Sequence, residues 1–333
     1  MKAAVFHGVR DVRFEEVAKP GLSEGEALLR VRACGICGSD LHTYREGLFL
    51  GLGLPTETGR ILGHEFSGEI AEINGHIEGV KVGDRFTTAA MGANAEYLKI
   101  TPAAARFLVP IADGVSFVEA ATTGPLATSL HATNLANVQD GETIVIMGAG
   151  IIGLGILQCI RAGSSAKTIV VDLSNKRLSL ARELGADETI NALECDVQET
   201  ILGASDQRLA LVEAPEGVAN TVFDCVGATK NFTGVSVLEQ ALSIVKPDGK
   251  VVVVAVFEKP LEIDPNVIVR KGIRLLGSWA WTREEFVQAL ALISSGKIDR
   301  RPLISHEFPL EDASEAYETQ ANADTAIKVM LIP

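Results

Sequence analysis

The chain has 333 residues, enough for about two domains of ordinary size. Hydrophobic residues make up 47% and charged residues 22%, a composition that excludes a disordered protein. Thirty basic residues against 43 acidic give a net charge of −13, the wrong sign for gripping a phosphate backbone, so no nucleic-acid partner is expected.

The apolar run 251–257 has seven residues where about 20 are needed to cross a bilayer, so no membrane partner is expected. The start, Met1-Lys2-Ala3-Ala4-Val5-Phe6-His7-Gly8, carries no apolar signal stretch, which predicts a cytoplasmic protein. The five cysteines are Cys34, Cys37, Cys159, Cys195 and Cys225, too few and too scattered for a disulfide framework. Only Cys34 and Cys37 are close together, in a glycine-rich polar setting that points to metal or thiol chemistry.

In chain order, strand-like segments fall at 12–15, 27–31, 67–73 and 95–98. They are punctuated by Lys19-Pro20-Gly21 and Lys81-Val82-Gly83-Asp84, and predict a barrel-like or sandwich β domain over the first 115 residues. From about residue 126 helices and apolar strands alternate. Helices are expected near 127–137, 151–162, 175–184, 232–245 and 283–294, and strands near 143–147, 168–171, 221–225, 250–256 and 273–276. Short apolar strands between helices predict a parallel sheet covered on both faces.

The strand ending at Met147 runs into Gly148-Ala149-Gly150-Ile151-Ile152-Gly153, and an apolar helix follows. A GxGxxG between strand and helix predicts a dinucleotide site. Gly148 allows the tight turn, Gly150 lets the backbone approach a pyrophosphate, Gly153 lets helix and strand pack closely, and the helix N-terminus faces the phosphates. Asp172 ends the next strand, nineteen residues after Gly153. A carboxylate there accepts hydrogen bonds from a ribose and repels a 2′-phosphate, favouring NAD over NADP. Asp172 also reads as a helix N-cap, and Lys176 and Arg177 as a solvated helix face, although either cation is able to rescue NADP binding.

Cys34-Gly35-Ile36-Cys37-Gly38-Ser39-Asp40-Leu41-His42 and, further on, Gly63-His64-Glu65 supply a thiolate, an imidazole and a carboxylate. Zinc accepts all three, and three protein ligands leaving a position for water mark a catalytic site. No cysteine lies between Cys37 and Cys159, so a four-cysteine structural site is excluded. Taken singly, His64 reads more often as a satisfied buried histidine and Glu65 as its ion-paired neighbour; the combination makes the metal site.

These motifs resemble those of the zinc-dependent medium-chain dehydrogenases, the alcohol, polyol and threonine dehydrogenase group. The resemblance extends through Val82-Gly83-Asp84-Arg85, Ala95-Glu96-Tyr97, Pro125-Leu126, Phe223-Asp224-Cys225-Val226-Gly227 and Gly277-Ser278. It implies an α/β protein: a Rossmann doubly wound parallel sheet over 126–278, and a GroES-like β-rich catalytic domain over 1–125 and 279–333, with the active site in the cleft between them. It makes Cys37, His64 and Glu65 zinc ligands and Asp40 the carboxylate that orients His64. Ser39 becomes the hydroxyl on the substrate oxygen and His42 the end of a proton relay. Gly148, Gly150, Ile151, Ile152, Gly153, Asp172, Leu173, Arg177, Cys225 and Val226 become dinucleotide-binding positions.

The implied activity is reversible hydride transfer between NAD(H) and a secondary alcohol, polyol or amino alcohol, in a homodimer or homotetramer with one catalytic zinc per chain. Tyr44, Phe49, Ala90, Met91, Trp279 and Trp281 are candidate pocket residues. Two departures stand out. Gly124 replaces the cysteine or acidic residue usual before Pro125-Leu126, and only residues 89–94 stand where many relatives carry a structural-zinc loop. The alternatives are a zinc-free reductase of activated double bonds and a non-catalytic NAD-binding relative.

Overall fold

A computed structural model of the chain describes all residues except 50–53, 204–216, 229–232 and 323, and of Leu54 and Pro55 the backbone only. It divides into two compact units, Met1–Pro125 with Arg283–Pro333, and Leu126–Thr282. The return to the first unit thus comes at Arg283. Trp279 and Trp281 stay with the second, on the segment that follows strand Arg274–Gly277.

In the first unit the spine is strand Glu26–Gly35, where exposed Arg30 and Arg32 flank buried Val31 before both faces become buried at Ala33, Cys34 and Gly35. It pairs antiparallel with Glu65–Asn74, with Tyr97–Ile100 and with Lys328–Ile332. The sheet extends through Arg85–Thr88 to Val109–Pro110 on one side and to Ile304–Pro309 on the other. Leu29, Val31, Cys34, Phe66, Ile70 and Phe86 form a core beneath it. A smaller sheet joins Asp11–Glu16, Lys2–Gly8 and Arg60–Ile61.

Helix Gly38–Glu46 interrupts this β-rich region without warning from the sequence, because its N-cap is Cys37, a residue outside the usual Ser, Thr, Asp and Asn set. The start is held instead from the third helical residue: Asp40 Oδ2 accepts the Cys37 N–H at 3.0 Å.

Among the described residues the second unit holds six parallel strands in the spatial order Glu188–Asn191, Lys167–Asp172, Thr143–Met147, Ala219–Asp224, Val245–Val253, Arg274–Gly277. Numbered within this unit, the third strand therefore lies at one edge, the first and fourth are neighbours, and the order reverses between them, as in a doubly wound dinucleotide-binding sheet. Ile144, Val145, Ile146, Val170, Val222, Phe223, Val251 and Val252 are buried on it. Strand Glu188–Asn191 escaped the sequence reading because it carries a single large apolar residue, Ile190. Helices Val197–Leu202 and Pro265–Lys271 were also not foreseen. The helix expected from 232 begins at Val237, where Ser236 and Glu239 close a capping box; Phe232 itself lies outside the described residues. Among the described residues no helix is long and apolar enough to cross a membrane.

Gly153 is the tightest point of this unit: a Cβ there would stand 1.8 Å from the Gly148 carbonyl oxygen and 3.2 Å from Ile146 Cγ2. Backbone cannot step aside cheaply. Gly153→Ala is expected to cost about 3 kcal/mol in a denaturant titration, the upper end for overpacking, and to weaken binding of ADP-ribose in the same preparation.

Candidate metal centre and dinucleotide site

The cluster in the first unit follows from strand register. Gly35 is paired with Glu65 on one side and with Met330 on the other. The chain leaves the sheet after Gly35 and reaches Cys37 two residues later, at the helix start, while His64 precedes Glu65 in a turn made possible by Gly63 at φ +84°. A Cys37 sulfur, a His64 ring nitrogen and a Glu65 carboxylate oxygen all lie within 4.8 Å of one another. Zinc bonds of about 2.0 Å to nitrogen and about 2.3 Å to sulfur place such a pair up to about 4.3 Å apart. The donor set therefore suits one ion after small movements.

Asp40 ties the two segments together. Its Oδ2 accepts from Cys37 N, and its Oδ1 lies 3.4 Å from Gly63 N and 3.5 Å from His64 Nδ1. At that distance Nδ1 is oriented by charge and makes no hydrogen bond. Burial opposes the ionised Asp40, but His64 and the Cys37 and Gly63 N–H groups outweigh it and hold the carboxyl below its ordinary range. Burial likewise opposes a charged His64; Asp40 and Cys37 reverse this and hold its pKa well above the usual histidine value. Burial, with Asp40 and Glu65 nearby, pushes the Cys34 thiol far up, leaving it an inert core side chain. Ser39 Oγ stands 3.4 Å from His64 Nε2, and His42 follows one helical turn after Ser39.

Two features escaped the sequence. Lys328, fully buried, sets its Nζ 2.5 Å from Glu65 Oε2 and donates to Ile36 O at 2.8 Å. A lysine opening the apolar run Lys328-Val329-Met330-Leu331 gives no hint that it faces inward. The short segment 89–94 is also part of the site's frame: Gly92 and Ala93 N–H donate to Gly63 O, Asn94 N–H to Leu62 O, and Asn94 Nδ2 to buried Tyr317 OH.

The expected pocket residues fare unevenly. Tyr44 is 1% exposed, its ring packed at a tilt 5.2 Å from that of Tyr317 and its hydroxyl donating to Glu318, so it is core rather than pocket wall. Phe49 lies under the Arg60 guanidinium. A Cβ at Gly124 would have ordinary clearance, 3.9 Å from both Glu65 Cγ and Phe286 Cε2.

In the second unit the glycine loop has the form the motif requires. Gly148 adopts φ +101°, and a Cβ on it would meet Val226 Cγ2 at 2.8 Å; Gly150 is the N-cap of helix Ile151–Gly163, and a Cβ there would meet only Arg177 at 4.0 Å. Gly150, Ile151 and Ile152 open that helix half-buried and with no side-chain cap, the kind of helix start that suits an anion. Asp172 Oδ2 accepts from Ala149 N at 2.6 Å and Oδ1 from Ser174 N at 2.9 Å. The helix N-cap is Ser174 and not Asp172. Arg177 is not solvated either: its side chain is 15% exposed and turned toward Asp172, 4.0 Å from Oδ2. Leu173 and Val226 stand exposed at the carboxyl ends of their strands. Asp224 Oδ1 accepts from Val226 and Gly227 N–H at 3.0 Å each, which fixes the Cys225–Val226 turn.

Residues 23–114 match the alcohol dehydrogenase GroES-like domain and residues 152–295 the zinc-binding dehydrogenase domain. The chain is 31% identical to an erythritol/L-threitol dehydrogenase of Mycolicibacterium smegmatis, covering all of this chain and 98% of that one. It is 29% identical to a sorbitol dehydrogenase of Bacillus subtilis, covering 100% and 97%. Among solved structures, the 2R,3R-butanediol dehydrogenase of Bacillus subtilis superposes with a TM-score of 0.84 at 27% identity, covering 100% and 99%. A zinc-binding dehydrogenase from Sinorhizobium meliloti bound to NADP gives 0.84 at 26%, with the same coverage. Fold and site thus define an oxidoreductase of the GroES-like and Rossmann type. The chain belongs to the zinc-dependent medium-chain dehydrogenase family.

Because Asp40 faces Nδ1 of His64 at 3.5 Å, Asp40→Asn is expected to weaken zinc binding about 10- to 100-fold. Competition with a chromophoric chelator measures it; unchanged affinity would remove Asp40 from the site.

Proposed function

We propose that the protein is an NAD-dependent, zinc-dependent dehydrogenase that interconverts a secondary alcohol or polyol and the corresponding ketone. The observation carrying this reading is the convergence of Cys37, His64 and Glu65 within 4.8 Å, a donor set of thiolate, imidazole and carboxylate that matches a catalytic zinc and leaves room for a substrate oxygen. Kinship with sorbitol and erythritol/threitol dehydrogenases supports an oxidoreductase acting on alcohols.

Cys37, His64 and Glu65 would hold the metal. Zinc supplies a Lewis acid for the alcohol oxygen, and the dinucleotide supplies the hydride acceptor. The Ser39 hydroxyl would accept the proton the alcohol releases as it hands on its own, and His42 would deliver a proton to water at the end of that relay. Gly148, Gly150 and Gly153, with Ile151 and Ile152 opening the helix, cradle the pyrophosphate. Asp172 accepts from the adenosine ribose and selects against a 2′-phosphate, although Arg177 beside it tempers that selection. Leu173, Cys225 and Val226 flank the cofactor at the strand ends.

Protein purified without chelator is expected to carry about one zinc per chain and to oxidise secondary alcohols or polyols with NAD⁺, losing activity on metal removal. Turnover surviving complete demetallation would instead support a zinc-free reductase. Asp172→Asn keeps the side-chain shape and removes the charge; it is expected to shrink the NAD⁺-over-NADP⁺ ratio of kcat/KM about tenfold, the scale of one charge-assisted hydrogen bond.

A further inference from the structure

The buried Lys328–Glu65 pair has a specific placement. Glu65, Gly35 and Met330 lie in one row across three strands, and Lys328 precedes Met330 by two residues and so shares its face. Gly35 stands between the two charged side chains. A Cβ on it would come 2.9 Å from Glu65 Oε2, 3.2 Å from Lys328 Cδ and 3.4 Å from Met330 Sδ. The missing side chain is what lets glutamate and lysine meet, at 1% and 7% side-chain exposure for Lys328 and Glu65. Lys328 is further tied to Ile36 O, next to Cys37, so the ammonium is fixed at both ends.

Resting on the metal reading of this site, we infer that Lys328 is a positioning residue that restrains Glu65, holding one carboxylate oxygen so that Glu65 serves the metal as a weak, displaceable ligand. The cation competes with the metal for the same carboxylate charge. Removing it leaves Glu65 a buried anion whose best remaining partner is the metal.

The test titrates the metal-free protein with zinc against a chromophoric chelator and records the visible d–d bands of the cobalt-loaded protein. Lys328→Met is expected to raise metal affinity tenfold or more, to shift the cobalt bands as Glu65 binds more tightly, and to lower the melting temperature of the metal-free protein only. Lys328→Arg restores the wild-type affinity and spectrum. In a Glu65→Gln background, Lys328→Met changes affinity by less than threefold, because the effect runs through the carboxylate. Gly35→Ala, which crowds Glu65 Oε2 while keeping both charges, shifts affinity and bands in the same direction and serves if Lys328→Met does not fold. Unchanged or weakened binding in Lys328→Met or Gly35→Ala, or a tenfold gain that persists without Glu65, overturns the inference. A wild-type protein that binds no zinc would instead overturn the metal reading itself.

Discussion

The first unit's chemistry depends on a place where a side chain is missing. Gly35 ends the central strand between Glu65 and Met330, and only a glycine lets the carboxylate and the ammonium on either side close to ion-pair distance. Two residues later the same chain becomes a helix whose first turn delivers Cys37 and Ser39. Sheet register thus aligns Glu65, and the helix start aligns the thiol; neither needs a long loop to hold it. A site on such rigid elements is more precise than one carried on loops.

Asp40 converts these two placements into one site. It is fully buried, a costly position for a carboxylate unless its oxygens are occupied. They are: one by the Cys37 N–H, the other by the Gly63 N–H and the His64 ring. The segment 89–94 then braces the Gly63 turn from behind through backbone hydrogen bonds and the buried Asn94–Tyr317 pair. A short, tightly bonded connection thus braces the His64 turn.

What the sequence disclosed depended on whether a signal was local. Strand 143–147 and helix 283–294 match the structure to the residue, since apolar periodicity and Gly punctuation mark them directly. Strand Glu188–Asn191 was hidden because an edge position with one buried face needs a single apolar residue, Ile190, and helix Gly38–Glu46 because a cysteine caps it. Within the first unit, Cys37, His64 and Glu65 bring donor atoms within 4.8 Å of one another. Lys328 was invisible because its partner is 263 positions away in sequence, and pairing of that kind is decided by register, not by local pattern. Arg177 reads as solvated for a different reason: Asp172 is close in sequence, but only the path of the chain between strand and helix shows the guanidinium turned toward it.

Charge balance gives the departure at Gly124 a physical sense. A dication at the cluster would face three anionic groups, the Cys37 thiolate, Glu65 and Asp40, with Lys328 supplying one further positive charge beside Glu65. Positive and negative charges are then equal within a largely buried site, with His64 neutral as a ligand. A carboxylate at position 124 would begin 3.9 Å from Glu65 Cγ and add an anion with no counter-charge. Lys328 and an acidic residue at 124 therefore pull the site's balance in opposite directions. With Gly124 in place, the cation beside Glu65 is Lys328, and the two meet across Gly35, where a side chain is missing.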